Sequence, residues 1–374
     1  MLQSTFIPIS ALLRRARPLA LLGALAVAAA CGDDSISEPD PAPGFLGGVP
    51  GNREIGVLVN SGTKSLTLFQ LGAPTSTIQI PLGSSATVTP VGFSLRGRRA
   101  AVPLGNAASV AVVNLETATV SKFFTFPSGN TTGSVWSNDT TVFAANTNTN
   151  KIGRFYINQT STEITSTVDV APAPTAMAFA ANRVLAISGN LANFVPIGEG
   201  VVTAINPATM AVIATVPTGG TNPTEATVGP DGLLYVLNTG DYVAPSSMAI
   251  IDPATMTRVA LIPSLSVGAG HISIDAAGLA YISGFSSSTV VWNTRTRTFV
   301  RGTDNPVCAR RATGQCRGAT SAVLSGSTGL YQLFFGSTSQ GLTPYAFRYD
   351  PTTYALRDSI AVGAGPMSLV IRTF

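Results

Sequence analysis

Residues Gly229–Gly268, GPDGLLYVLNTGDYVAPSSMAIIDPATMTRVALIPSLSVG, hold the reading that decides the fold. A Pro230-Asp231-Gly232 turn feeds an apolar strand, Leu233–Leu237, and a polar loop separates it from a second strand, Met248–Ile251. The Asp252-Pro253-Ala254-Thr255 turn then leads into a third strand ending near Val267-Gly268. In that turn the Asp carboxylate can bond the backbone two residues on, and Pro presets φ for a tight reversal. A single unit of this kind cannot bury both its faces, so it has to stack on copies of itself.

The copies are present. Asn or Asp followed three residues later by Thr or Ser recurs at Asn114, Asn158, Asn206, Asp252, Asn293 and Asp350, with spacings of 44, 48, 46, 41 and 57 residues. One strand upstream stand Val57-Leu58-Val59-Asn60, Phe143-Ala144-Ala145-Asn146, Tyr235-Val236-Leu237-Asn238 and Ala280-Tyr281-Ile282-Ser283. Units close on Gly83, Gly129, Gly219, Gly268 and Gly363, and Pro223 and Pro366 follow two of these joins. These features resemble the YVTN-type β-propeller repeat family, whose unit reads roughly Tyr-Val-x-Asn, a strand, Asp-x-x-Thr and a closing Val-Gly. The resemblance covers about residues 53–374 and implies a propeller.

Composition agrees with strands and turns. Of 374 residues, 37 are Gly and 25 Pro, and only 11% are charged, which is poor helix chemistry. A period in the forties fits a four-stranded blade. Joins near Gly83, Gly129, Pro172, Gly219, Gly268, Arg317 and Gly363 predict an all-β, seven-bladed β-propeller of antiparallel blades over residues 53–374. The first unit, from Arg53, lacks a strand, and the chain ends on an unmatched strand, Gly365–Arg372. Pairing the tail into the first blade closes the ring and covers both edges. The rival fold, two packed antiparallel sandwiches, predicts neither the orphan strand nor the seven-fold spacing.

Residues 1–30 carry Arg14, Arg15 and Arg17, an apolar run Leu19–Val27, and Ala28-Ala29-Ala30 before Cys31. A basic head, a short apolar core and small residues describe a secretory signal peptide. The Ala-Ala-Cys31-Gly32 junction resembles the bacterial lipobox, which implies a diacylated Cys31 and a membrane anchor in the cell envelope. Gly32, rather than Asp, points to the outer membrane, on its periplasmic side or at the cell surface. The other reading is an ordinary signal peptide with an incidental Cys. Residues 31–52, rich in Pro, Gly and acids, read as a flexible tether. Without the three leader arginines the chain has 19 basic and 18 acidic residues, a balance that argues against a nucleic-acid partner.

Four stretches exceed the repeat: Asn190–Gly200, Gly240–Pro245, Ser337–Pro344 and Gly302–Arg317. All four fall in connections that a propeller gathers on one face, where binding loops usually sit. Phe194, Tyr242 and Tyr345 are candidate aromatic anchors there, and Glu199, Asp241, Arg310 and Arg311 candidate charges. Neutral drift is the competing reading, since surface insertions cost little. Cys308 and Cys316 close a short loop and are expected to form a disulfide after export. Two thiols are too few for a metal site. The only histidine, His271, is expected near the axial channel, where it is a candidate base or, more commonly for its kind, a packed side chain.

No nucleophile elbow, phosphate loop or zinc helix motif occurs, so no catalytic residue, metal or cofactor is assigned. The function read from these features is a lipid-anchored envelope propeller that binds a protein, peptide or glycan through its loop-rich face. The alternatives are a propeller enzyme of lactonase or lyase type with an axial pocket, and a passive scaffold or surface-layer component.

Overall fold

A computed structural model describes Leu46 and residues 53–72, 77–285, 287–311, 313–326, 328–336 and 344–374. The leader, Cys31, the tether apart from Leu46, and residues 337–343 lie outside the described residues. The described strands form seven four-stranded antiparallel sheets. Every blade runs from an inner strand (A) to an outer strand (D).

Blade 1 holds β1 (Glu54–Asn60), β2 (Ser65–Gln70) and β3 (Thr77–Pro81), with β30 (Pro366–Thr373) as its inner strand. Blade 2 is β4 (Ser94–Arg96) to β7 (Thr119–Thr125), and blade 3 is β8 (Thr131–Trp136), β9 (Thr141–Asn146), β10 (Lys151–Tyr156) and β11 (Ser166–Asp169). Blade 4 comprises β12 (Pro174–Ala180), β13 (Arg183–Ser188), β16 (Val201–Ile205) and β17 (Val212–Pro217). A small hairpin, β14 (Leu191–Ala192) and β15 (Val195–Pro196), is inserted in it. Blade 5 is β18 (Pro223–Val228), β19 (Leu234–Asn238), β20 (Ser247–Asp252) and β21 (Thr257–Ile262). Blade 6 is β22 (His271–Ile274), β23 (Leu279–Gly284), β24 (Ser287–Asn293) and β25 (Thr298–Arg301). Blade 7 is β26 (Ser321–Leu324), β27 (Leu330–Leu333), β28 (Tyr345–Tyr349) and β29 (Leu356–Ala361).

The core lies between blades. On β1, Val57 and Val59 pack toward blade 2, while Leu58 packs with Tyr331 and Leu333 of blade 7 and Leu369 of β30. On β19, Val236 joins the core with blade 4 and Tyr235 and Leu237 the core with blade 6. A strand buried on both faces must be apolar at every position, which is why these segments read as continuous runs rather than alternating ones. Outer strands such as β17 and β21 are mostly exposed.

Closure follows the expected pairing. Val57, Leu58 and Gly56 oppose Val370, Leu369 and Ile371, and Phe374 N donates to Arg53 O at 3.1 Å. Hydroxyls stitch neighbouring blades near the axis. Thr132 donates to Pro174 O (3.1 Å), Thr175 to Pro223 O (2.9 Å), Thr239 to Ala269 O (2.7 Å) and Thr320 to Pro366 O (2.8 Å).

The two sequence markers meet in space. Asn60, Asn146 and Asn238 end their second strands buried, each side chain held by hydrogen bonds such as Asn60 Nδ2 to Thr67 Oγ1 at 2.7 Å. The glycines at the joins lie flush against them. A Cβ on Gly129 would stand 2.0 Å from Asn146 Oδ1, and one on Gly363 would stand 2.6 Å from Asn60 Cγ.

Asn114, Asn206, Asp252, Asn293 and Asp350 each accept the backbone N–H groups two and three residues on, as the turn reading requires. Asn158 departs from the pattern. There Gln159 Oε1 takes the Tyr156 N–H, and the following residues pair with blade 2 through Ile164 N to Thr125 O at 2.9 Å. That segment serves an inter-blade contact instead of a tight turn.

Candidate functional site

Two features could carry function: the rim at one end of the ring and the channel along its axis. Because strand direction alternates, the second-to-third loops and the blade-to-blade crossovers open at the same end. Asn190–Gly200 and Gly240–Pro245 are loops of the first kind, and Gly302–Arg317 is a crossover, so all three stand on this rim.

In the first insertion a two-residue reversal joins β14 to β15, with Asn193 and Phe194 at φ of 50° and 65°. Asn tolerates that region, whereas Phe does so only at a cost. Phe194 is 93% exposed, so burial does not offset the strain. Tyr242 repeats the combination, at φ 64° and 53% exposed. Glu199 is partly committed, its Oε2 accepting Gly219 N–H at 3.1 Å and lying 3.7 Å from Arg258. Asp241 is a turn residue, accepting N–H bonds from Val243 (2.9 Å) and Ala244 (2.8 Å). Those two bonds hold its carboxyl below the usual carboxylate range.

Cys308 and Cys316 stand in bonding geometry, with Cα atoms 5.4 Å apart. Between them Arg310 Nη1 donates to Gly314 O at 2.9 Å, Arg311 N donates to Gln315 O at 2.8 Å, and both arginines are exposed. The crossover is pinned at its base by buried Gln332, whose Nε2 donates to Thr289 Oγ1 (2.7 Å) and Val307 O (3.1 Å). Tyr345, at the start of β28, is half-buried with its ring centroid 5.7 Å from that of Phe347.

Sequence reading passed over other rim residues. Val195, Ile197 and Val243 are exposed beside the named aromatics, and Phe285 and Phe335 meet edge-on, 5.8 Å between centroids, across blades 6 and 7. The insertions were recognisable by length, but Phe285 sits in a connection too short to stand out, and Phe335 lies just ahead of the Ser337–Pro344 stretch rather than in it.

The channel is lined by residues of all seven blades and has a volume of about 300 Å³. His271 lines it, as its place at the head of an inner strand implied, and is 92% removed from solvent at 8% exposure. Its Nε2 shares a 3.1 Å hydrogen bond with Ser321 Oγ, which also accepts the Leu369 N–H, while Nδ1 is buried with no partner among the described residues. Burial lowers its pKa to about 4, so the imidazole is neutral at pH 7. Glu225, on inner strand β18, is the other ionisable group in the lining, and sequence reading missed it. Burial raises its pKa to about 7, with the Ala226 N–H bond (3.1 Å) pulling the other way. An acid in the middle of an inner strand, Pro223-Thr224-Glu225-Ala226, was the available signal. Among the described residues no three His, Cys, Asp or Glu side chains gather closely enough to hold a metal ion.

No protein-family model matches the chain, and no curated protein matches it in sequence. Among solved structures, Kuenenia stuttgartiensis hydrazine synthase superposes on 79% of this chain and 99% of its own, with a TM-score of 0.60 and 10% identity. At that identity the likeness shows the fold alone, and the fold is a seven-bladed β-propeller.

Proposed function

We propose that this chain is an exported, Cys31-anchored lipoprotein of the bacterial envelope whose propeller binds a protein or peptide partner through its rim. One observation carries the reading. Apart from residues on the outer strands and Tyr156, the exposed large apolar side chains among the described residues all lie on this one end of the ring. Phe194, Val195, Tyr242, Val243, Phe285 and Phe335 are among them. Exposed apolar groups grouped on one face and mixed with arginines have the composition of a protein-binding surface.

The strained φ values of Phe194 and Tyr242 support the same reading, since residues held at a cost without burial cluster at binding sites. Chain direction is compatible with an anchor. Strand β1 enters at the opposite end of the ring from the rim, Glu54 beside Thr373, so the rim is not where the tether joins the propeller. A Cys308–Cys316 disulfide, formed on export, would hold the basic loop in one shape.

Photo-crosslinking at Val243, in cells of the native host, tests the reading with wild type, Phe194→Gly and Arg311→Ala. Glycine relieves the positive φ, so Phe194→Gly is expected to melt no lower than wild type while losing its crosslinked partners. Recovery of the same partners by all three proteins sinks the choice of face.

A further inference from the structure

Most polar side chains in the channel are already spoken for. Thr132, Ser134, Thr175 and Ser273 each donate to a main-chain oxygen of a neighbouring blade, at 3.1, 2.9, 2.9 and 2.6 Å. Glu225 is different. Its only hydrogen bond comes from the N–H of the adjacent Ala226, and among the described residues no cation pairs with it. Among the described residues, the hydroxyls of Thr227 and Ser368, which share that lining, have no hydrogen-bond partner either. A carboxylate desolvated in such a channel without a counter-charge is costly unless it takes up a proton or something cationic enters.

From this geometry we propose that the axial channel binds a small organic ammonium ion, with Glu225 as counter-charge and the Thr227 and Ser368 hydroxyls as acceptors. This site is separate from the rim and does not depend on the partner proposed there. The cavity, about 300 Å³, has room for a compact amine and excludes a folded polypeptide. A divalent metal ion fits less well, since the lining offers one carboxylate and such ions want several charged oxygens. His271, the only other ionisable group facing the cavity, is neutral at pH 7 and adds no repulsion.

Isothermal titration of the exported chain without its leader, with ethanolammonium chloride, ethylene glycol and calcium chloride in turn, tests the proposal. Ethanolammonium is expected to saturate one site, and uncharged ethylene glycol to give no saturable heat. Loss of a charge-assisted contact in Glu225→Gln should weaken binding by about tenfold or more. Thr227→Val should weaken it less, and Tyr242→Ala, on the rim, should leave it unchanged. Affinity should also fall as the pH is lowered through about 7, where Glu225 takes up its proton. Equal affinity in Glu225→Gln, no pH dependence, or saturation by calcium in place of the amine overturns the proposal. Crosslinking at the rim would survive that failure, and the channel result would survive loss of the rim partner.

Discussion

Glu225 and His271 face one cavity, yet burial moves them in opposite senses. The carboxyl is raised from 4.5 to about 7 by desolvation, so its contribution to stability is complete below pH 4.5 and is lost as pH rises through about 7. The imidazole is lowered from 6.5 to about 4, so its contribution is complete above pH 6.5 and is lost as pH falls toward 4. Glu225→Gln stays neutral throughout and should therefore gain on wild type as pH rises from 4.5 to 8. The gain should be about one to three kcal/mol, allowing for water in the channel. Urea unfolding of both proteins at the two pH values measures it, and a constant difference would mean that the carboxylate is not desolvated. His271 was foreseen near the axis. Glu225 was not, because period and turn motifs carry no information about which inner-strand residue faces the channel.

At the scale of a strand and its turns, most of the chain was legible. Runs such as Leu234–Asn238 could be recognised because a blade is covered on both faces, and five of the six Asx turns hold as read. Asn158 shows the limit. Its tetrad matches the others, but tertiary pairing of Ile164 with Thr125 claimed the segment, and no local signal reports a contact between blades. The short hairpin at Leu191–Pro196 was likewise read as loop, since Asn193-Phe194 lacks the glycine that usually marks such a reversal. The pairing of Asn with a join glycine gives a sharp prediction. In Gly129→Ala the new methyl meets Asn146 Oδ1 at 2.0 Å, on a backbone at φ 118°. That change should cost about 2 kcal/mol or more, seen as a lower midpoint in urea, whereas Gly97→Ala, with open space around it, should cost less.

For the molecule as a whole, seven inter-blade cores depend on each other around a circuit. The core between blades 7 and 1 contains Leu369 of the last strand together with Leu58 and Phe69. Deleting residues 364–374 would empty that place and leave β1 as a bare edge among apolar residues. Truncated protein should melt well below wild type and aggregate on standing, as light scattering would report; equal melting would mean the ring does not need its tail. The blade count and the closing pair were readable because a unit short of a strand at one end and a spare strand at the other leave one economical solution. What the rim or the channel takes in was not readable, since the repeat specifies a scaffold and is indifferent to its cargo.

The bond between Phe374 N and Arg53 O has one more implication: geometrically, the backbone forms a loop whose opening could be moved elsewhere. Joining Phe374 to Arg53 through a few glycines and cutting at the exposed Asp231-Gly232 reversal would rearrange the order of synthesis yet preserve the strand pairing of all seven blades. A circularly permuted gene of this design should yield the same molecule, with the former seam turned into an ordinary hairpin.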